Sequence, residues 1–416
     1  MKLLVEVKNI RLFRFLSAAY IVSFATMLYF ASVDKISLLM LSMMFLSPIF
    51  IASFFLYFQK DELPVYGLMG CILVGSFYHF SSFRLSTVAY AFFFLMTFIA
   101  FKRILDTGCY DKKSYLNLVK QLIYAYFFVL VIQQMLTIVR LPVFNQCWQF
   151  SNPFKLNSLA HEPSYIGGTL LILFYSYKKI YESFFPYEMT LGQFYNENKK
   201  LCHSYIYVCL TCLSTWALFG ALVMGLYLFR KNKQVLVVLA LACLMLPFLS
   251  SDLESVDRLV KIIPAILTFD TNLIKSVDLS AAARINPVLY YIQDFNPLSV
   301  DTWFGLGIDY SKTHTIVRLL DTDMYMEQGN ATGGLFPAFF WDYGLLAGFF
   351  FLCSLKKFAV KRFVSFPFVV WLLFFLPIGF NTYMTWQFFM IMYATNYYLN
   401  HSRENQLKPL WGMTRA

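Results

Sequence analysis

Of the 416 residues, 59% are hydrophobic and only 14% are charged, with a mean hydropathy of +0.59. So few polar groups cannot cover a water-facing surface, which excludes a soluble globular protein. The net charge of +11 is spread in short clusters between apolar runs, not gathered into the stripe that nucleic acid requires, and reads as a membrane-orientation signal.

At the amino end Lys2, Lys8, Arg11 and Arg14 precede an apolar run. No small-x-small cleavage site follows, since Tyr29 and Phe30 lead into Ala31, so an uncleaved first span is expected. Crossing hydrocarbon takes about 20 apolar residues as a helix, because each backbone N–H and C=O must be satisfied internally. Residues 15–31, 36–58, 63–80, 86–101, 118–139, 164–177, 234–250, 335–355, 363–380 and 383–399 meet that need, the shorter ones with snorkelling flanks. An eleventh run, 204–229, is long. The expected architecture is an all-α polytopic integral membrane protein of ten to twelve transmembrane helices, one membrane-embedded domain over 1–416. Cys71, Cys202, Cys209, Cys212, Cys243 and Cys353 lie in or beside apolar runs and Cys109 in a basic loop, leaving Cys147 to face an oxidising compartment without a partner.

If all eleven runs cross once from a cytoplasmic amino end, the cluster Arg230-Lys231-Asn232-Lys233 and the one from Lys356 to Arg362 fall outside, against the positive-inside rule. A break of 204–229 around Ser214-Thr215-Trp216, returning the chain to its starting side, repairs every later loop and makes both termini cytoplasmic. The alternative repair lets a shorter run such as 164–177 fail to cross. With the broken helix, all but ten of the 34 Lys and Arg lie inside. Two sizeable periplasmic loops result, 140–163 and 251–334, the second with surface helices and eleven of the 23 acidic residues. The spans hold few polar groups beyond Gln133, Gln134, Gln387 and the border residue Asp342. An ion-coupled transporter needs mid-bilayer carboxylates, so this argues against one.

The first loop ends Asn157-Ser158-Leu159-Ala160-His161-Glu162-Pro163-Ser164-Tyr165. Pro163 suits the first helical turn and places Glu162 at the amino end of a span, at headgroup level. There the carboxylate either caps the helix or acts as a base. In the second loop Asn286 and Pro287 read as N-cap and first residue of an amphipathic helix, with Ile285, Val288, Leu289 and Ile292 on its apolar face. Arg284 then lies just before that helix, placed either to bind a diphosphate with the orphan N–H groups or to anchor on lipid headgroups. Residues 256–269 read as a second interfacial stretch, a wall for a lipid-linked substrate. Gly305-Leu306-Gly307-Ile308-Asp309 reads as a flexible turn. His314, Arg318, Asp321, Asp323 and Glu327 follow, with His314 a base or a solvated loop residue, and Asp321-Thr322-Asp323 only superficially a metal motif.

His161-Glu162-Pro163-Ser164 opening a span, a large outer loop with an Arg at an amphipathic helix, then Gly305-x-Gly307 and a His before the last spans, resemble the bacterial O-antigen and capsule repeat-unit polymerases, a group that includes the O-antigen ligases. The resemblance covers the whole chain in topology and about thirty residues in sequence. It implies an inner-membrane glycosyltransferase that joins undecaprenyl-diphosphate-linked oligosaccharides at the periplasmic face, with a membrane-lipid environment, a chain-length regulator as protein partner and no nucleic acid. Position carries the family's second-loop Arg onto Arg284. Its first-loop Arg would fall on Arg140, although Arg140 stands at a span end and His161 takes the place beside the carboxylate. The implied catalytic set is Glu162, Arg284, His314 and His161, with Arg140, Arg318, Tyr165 and Tyr291 as substrate-binding candidates. Arginines neutralise the diphosphate, so no cofactor and no metal are called for. The alternatives are an O-antigen ligase acting on lipid A core, which His314 keeps open, and a lipid-linked oligosaccharide flippase. The flippase fits less well, because 15–101 and 234–399 show no repeated halves.

Overall fold

The computed structural model describes residues 10–27, 42–43, 45, 47–48, 59–80, 84–145, 155–212, 214–232, 234, 267–277, 279–311 and 334–411. Among them every regular element is helical: α1 (Ile10–Ala25), α2 (Leu63–Tyr78), α3 (Leu85–Asp106), α4 (Lys112–Ile138), α5 (Pro163–Glu182), α6 (Leu191–Glu197), α7 (Lys199–Thr211), α8 (Thr215–Phe229), α9 (Thr271–Val277), α10 (Leu279–Asp294), α11 (Val300–Phe304), α12 (Leu335–Ser354), α13 (Phe366–Val370) and α14 (Tyr383–Trp411). Wide π-helical turns continue α12 through Leu355–Val360 and α13 through Trp371–Phe375. Among the described residues three helices are long and apolar enough to cross a membrane: Leu85–Asp106, Lys112–Ile138 and Leu335–Val360. The expected spans 36–58 and 234–250 lie almost wholly outside the described residues.

Local chemistry sets the helix starts. The Asp111 carboxylate accepts the Ser114 N–H at 2.8 Å and opens α4; the Ser114 hydroxyl also holds that carboxyl below the ordinary Asp range. Pro163 stands at the first turn of α5, and Thr190 with Gln193 forms a reciprocal capping box on α6. The run 335–354 is not straight: backbone dihedrals leave the helical region at Phe336 and at Gly344, whose φ is +79°. Only glycine accepts that angle without strain.

Side-chain contacts sort the helix ends into two groups. At one end the Arg14 Nε donates to the Cys109 carbonyl (2.9 Å), Tyr398 Oη to the Tyr110 carbonyl (2.7 Å), Lys112 Nζ to the Ser183 carbonyl (3.1 Å) and Lys361 Nζ to Asn400 Oδ1 (2.8 Å). Lys357 meets Asp61 at 3.2 Å, and Lys231 pairs with Glu188. The starts of α1, α2 and α4 and the finishes of α3, α5, α8 and α12 therefore share one basic end. At the other end Met27 N–H reaches the Leu159 carbonyl (2.7 Å) and Leu335 N–H the Leu376 carbonyl (3.0 Å). The amino-proximal end of α1 and the distal part of α14 thus share a face.

The long apolar run 204–229 is broken. Helix α7 rises along α4, with Tyr207 Oη donating to Gln134 Oε1 (2.7 Å) and Gln134 Nε2 to the Thr211 carbonyl (3.5 Å). The chain turns between Thr211 and Thr215, and α8 descends beside α5. A Cβ on Gly167 would lie 2.4 Å from the Trp216 carbonyl oxygen, while further down the Tyr175 and Tyr227 rings stand 5.3 Å apart. Gly167 and Gly220 let these two backbones approach, as small residues do between membrane helices. Arg230 and Lys231 return to the basic end, where Arg230 lies over the Tyr227 ring at 4.1 Å.

The basic end also holds a buried ionic cluster. Glu62 is fully buried and receives Arg103 Nε at 3.0 Å, Arg103 Nη2 at 2.6 Å and the Tyr66 hydroxyl at 2.8 Å. Lys102 approaches the same carboxylate at 3.5 Å and bonds Gln59 and Asp106 at 3.0 and 2.7 Å. These two cations extend α3 beyond the apolar run 86–101, because their charge is met inside the protein. Removing one partner of such a pair strands the other charge, at about 3–5 kcal/mol. Glu62→Ala should therefore sharply lower the thermal unfolding midpoint of the purified protein, whereas Asp61→Ala, which removes an exposed carboxylate, should change stability by roughly 1 kcal/mol or less. Equal midpoints for the two variants would refute a stabilising role for the cluster.

Candidate functional site

The segment 155–162, at the end opposite the basic one, is held by side chains bonded to backbone groups. Gln133, buried in α4, accepts the Ser158 N–H at 2.8 Å and donates to the carbonyls of Phe144 (3.0 Å) and Ser158 (3.4 Å). The Ser158 hydroxyl donates to the Tyr126 carbonyl at 2.7 Å, and Asn157 Nδ2 to the carbonyls of Asn145 (2.9 Å) and Ala160 (2.6 Å). Gln133 thus pins a loop, and Gln134 ties α4 to α7. Ser158 sits at φ +49°, a left-handed conformation sustained by these bonds.

That loop delivers Glu162 to the amino end of α5. Its backbone occupies the cap position, yet its side chain makes no capping bond. Glu162 Oε2 instead accepts the Ser164 hydroxyl at 3.1 Å, and the residue is part-exposed. The capping alternative is therefore set aside by the geometry, leaving a carboxylate beside the positive end of a helix dipole. Aromatic rings stand on either side of it in the chain and on α14: His161 stacks on Tyr165 with centroids 6.1 Å apart, and Tyr165 meets Tyr383 edge-on at 6.2 Å. Tyr383 Oη accepts the His161 N–H at 3.4 Å. Tyr383 belongs to α14 and was not among the sequence candidates; its position opening the last apolar run is the one signal that marked it.

The remaining candidates are placed as follows. Arg140 is exposed just past α4 at φ +60°, and among the described residues no ion pair joins it to Glu162. Arg284 lies within α10, which begins at Leu279, so the expected helix start at Asn286 is corrected. Leu279-Ser280-Ala281-Ala282-Ala283 supplies strong helix formers that carry the helix backward through Arg284. Pro287 is accommodated inside, although it removes the donor for the carbonyl four residues earlier. Asn286 is not a cap: it is buried and donates to the Thr271 carbonyl at 3.1 Å, joining α9 to α10. Arg284 therefore does not precede a helix amino end, and the dipole contribution expected there is lost. Tyr291 packs against Phe336 (5.3 Å), Trp341 (5.6 Å) and Phe295 (5.9 Å), seating α10 on the start of α12, and burial raises its phenol pKa. His314, Arg318, Asp321, Asp323, Glu327 and most of 256–269 lie outside the described residues.

Gly305–Asp309 is not a flexible turn. It is wedged between α2, α3 and α12. Gly305 has φ +88°, and a Cβ there would lie 2.5 Å from the Asp342 carbonyl oxygen; Leu306 N–H donates to the Trp341 carbonyl at 2.6 Å. Asp309, buried and at φ +61°, accepts from the Thr87 hydroxyl (3.0 Å) and Arg84 (3.4 Å). Asp342 takes both the N–H (2.8 Å) and hydroxyl (3.1 Å) of Ser311. His79 Nε2 lies 3.0 Å from the Gly305 carbonyl oxygen and 3.4 Å from Asp301. Sequence reading missed His79, Arg84 and Thr87, because their partners lie more than 200 positions away. The two polar clusters are linked through rings: Tyr343, next to Asp342, faces Phe380 at 6.1 Å, three residues before Tyr383.

No family model matches the chain, and no curated protein or solved structure matches it either. Gln133→Leu would leave the Ser158 amide and carbonyl short of partners at about 1–3 kcal/mol. Limited proteolysis of membranes should then cut the 155–162 segment faster than in the parent while cutting near Gly192 is unchanged; an unchanged pattern at both places would refute the pin.

Proposed function

We propose that this chain is a multi-pass inner-membrane glycosyltransferase that joins undecaprenyl-diphosphate-linked oligosaccharide repeat units at the periplasmic face. The observation that carries this reading is Glu162, a carboxylate left uncommitted by helix capping and flanked in the chain by His161 and Tyr165, whose ring meets Tyr383, at the end of the bundle opposite the basic cluster. Under the positive-inside rule the basic end faces the cytosol, which puts Glu162 on the outer side at headgroup depth. A part-exposed carboxylate next to the part-exposed rings of His161 and Tyr165 suits sugars, whose hydroxyls need an acceptor and whose C–H faces stack on rings.

In the reaction, Glu162 takes the proton of an acceptor sugar hydroxyl as that oxygen bonds to the anomeric carbon of the donor glycan. The bond from that carbon to the diphosphate oxygen breaks, and undecaprenyl diphosphate leaves with the electron pair. Arg284, with Arg140 or Arg318, neutralises the departing charge; guanidinium groups match two phosphate oxygens at once. His161 and His314 are the other residues able to exchange a proton near neutral pH. Arg284 keeps its place on an amphipathic helix seated on α12 through Tyr291, and its contribution is its own charge.

A general base contributes roughly 10²–10⁴-fold to rate, so Glu162→Gln should reduce polymer to single-repeat caps on lipopolysaccharide while the protein is inserted at parental levels. Arg284→Lys should lose most activity despite the retained charge. A full polymer ladder from both variants would overturn the proposal, and loss of every cap, single repeats included, would assign the chain to the ligases instead.

A further inference from the structure

We propose that residues 295–303 are a lipid-inserting wedge that holds Phe295, Leu298, Val300 and Trp303 among acyl chains beside α2, at the end of the bundle that carries Glu162. This rests on the membrane-spanning part of the proposed function, not on the glycosyl-transfer chemistry.

Leu298 is 92% exposed, Val300 52% and Trp303 44%, next to the polar groups of Asn296, Ser299 and Asp301. Four large apolar groups within nine residues of a surface turn are costly to leave in water. The backbone beneath them is closed on itself. Leu298 N–H donates to Asn296 Oδ1 (3.1 Å), Ser299 N–H to the Asn296 carbonyl (3.1 Å), Asp301 N–H to Ser299 Oγ (3.3 Å), Thr302 N–H to the Ser299 carbonyl (3.2 Å) and Gly305 N–H to the Asp301 carbonyl (2.8 Å). Even the Trp303 indole N–H is spent on the Pro297 carbonyl at 3.0 Å. Internal satisfaction is the condition for backbone to approach hydrocarbon, and a groove for a protein strand would instead leave such groups available.

The wedge is also fixed against the body. A Cβ on Gly75 would lie 2.5 Å from the Phe304 carbonyl oxygen and one on Gly344 2.3 Å from that of Trp303, so α11 lies directly on the end of α2 and the kink of α12. The end of α2 beside it also exposes apolar groups, with Val74 at 52%, Phe77 at 61% and Tyr78 at 57%. The same hydrocarbon that covers those groups therefore covers Leu298 and Trp303. His79 with Asp301 and the 66%-exposed Arg84 mark the polar border. Aromatic rings at such a border are the usual anchor of a membrane–water interface.

The test places an environment-sensitive fluorescent amino acid at position 298, 74 or 187 of the full chain, reconstituted in vesicles of phosphatidylcholine and phosphatidylglycerol, with or without acyl-chain bromination. Position 298 should lose most of its fluorescence to brominated lipid and resist aqueous iodide, as position 74 does, while position 187, an exposed tyrosine between α5 and α6, should respond only to iodide. Iodide quenching at 298 with bromine quenching at 74 would overturn the wedge alone. Protection from both quenchers at 298, with energy transfer between labelled copies, would mean a second copy covers the patch and would also overturn it. Iodide quenching at both 298 and 74 would overturn the membrane-spanning reading beneath it.

Discussion

Backbone hydrogen bonding sets the terms for a helical chain in which three of the described helices are long and apolar enough to cross a membrane. A helix satisfies its own backbone and can therefore cross a bilayer, and each crossing reverses the side on which the next loop emerges. A single extra reversal would place Arg230, Lys231 and the cations from Lys356 to Arg362 opposite Arg14, Lys102 and Lys112. The break between α7 and α8 prevents this. Gln134 and Tyr207 hold the rising arm, and the close approach of Gly167 to Trp216 seats the descending arm on α5. The cations then gather at one end, where Glu62 and Asp106 neutralise those that are buried.

The opposite end is built from long-range polar contacts. Gln133 and Asn157 organise the loop that presents Glu162, while Asp309 and Asp342 hold the Gly305-containing segment against α3 and α12. Trp386, Phe380, Phe389 and Phe351 pack between these regions with centroids 5.3 to 5.9 Å apart, so α14 serves as the axis joining Tyr383 to the rest of the bundle. Carboxylates at such a place carry two jobs. Asp309 is engaged by the Thr87 and Arg84 side chains and Asp342 by the Ser311 amide and hydroxyl, while Glu162 accepts, among the described residues, the hydroxyl of Ser164 two residues on.

Much of this was legible in the residues. Hydrophobic run lengths located helices where the expected spans fall among the described residues, the charge clusters exposed the parity conflict, and Ser214-Thr215-Trp216 marked where the run 204–229 breaks. Pro163 placed Glu162 correctly at a helix start. The same signal misled at Pro287, where Ala281-Ala282-Ala283 outweighs the local preference of proline for a first turn and Asn286 finds Thr271 across a helix pair. The ends of α3 and α5 were drawn too short, because Lys102, Arg103, Lys178 and Lys179 read as polar boundaries while their pairing with Glu62, Asp106 and Glu182 keeps them within helices. His79 and Arg84 were invisible for a related reason, since each depends on a partner remote in sequence, and Tyr383 was marked only by its place opening the last apolar run.

Sidedness decides whether Glu162 and Arg284 share a compartment with a lipid-linked glycan. In a background with all eight native cysteines replaced by serine, single cysteines at positions 140, 284 and 231 would be treated with a membrane-impermeant maleimide in permeabilised-outer-membrane cells and in inverted inner-membrane vesicles. Positions 140 and 284 should label only in cells, and position 231 only in inverted vesicles. Labelling of 231 and 140 from the same side would contradict the broken-hairpin topology and, with it, the placement of Glu162 on the outer face.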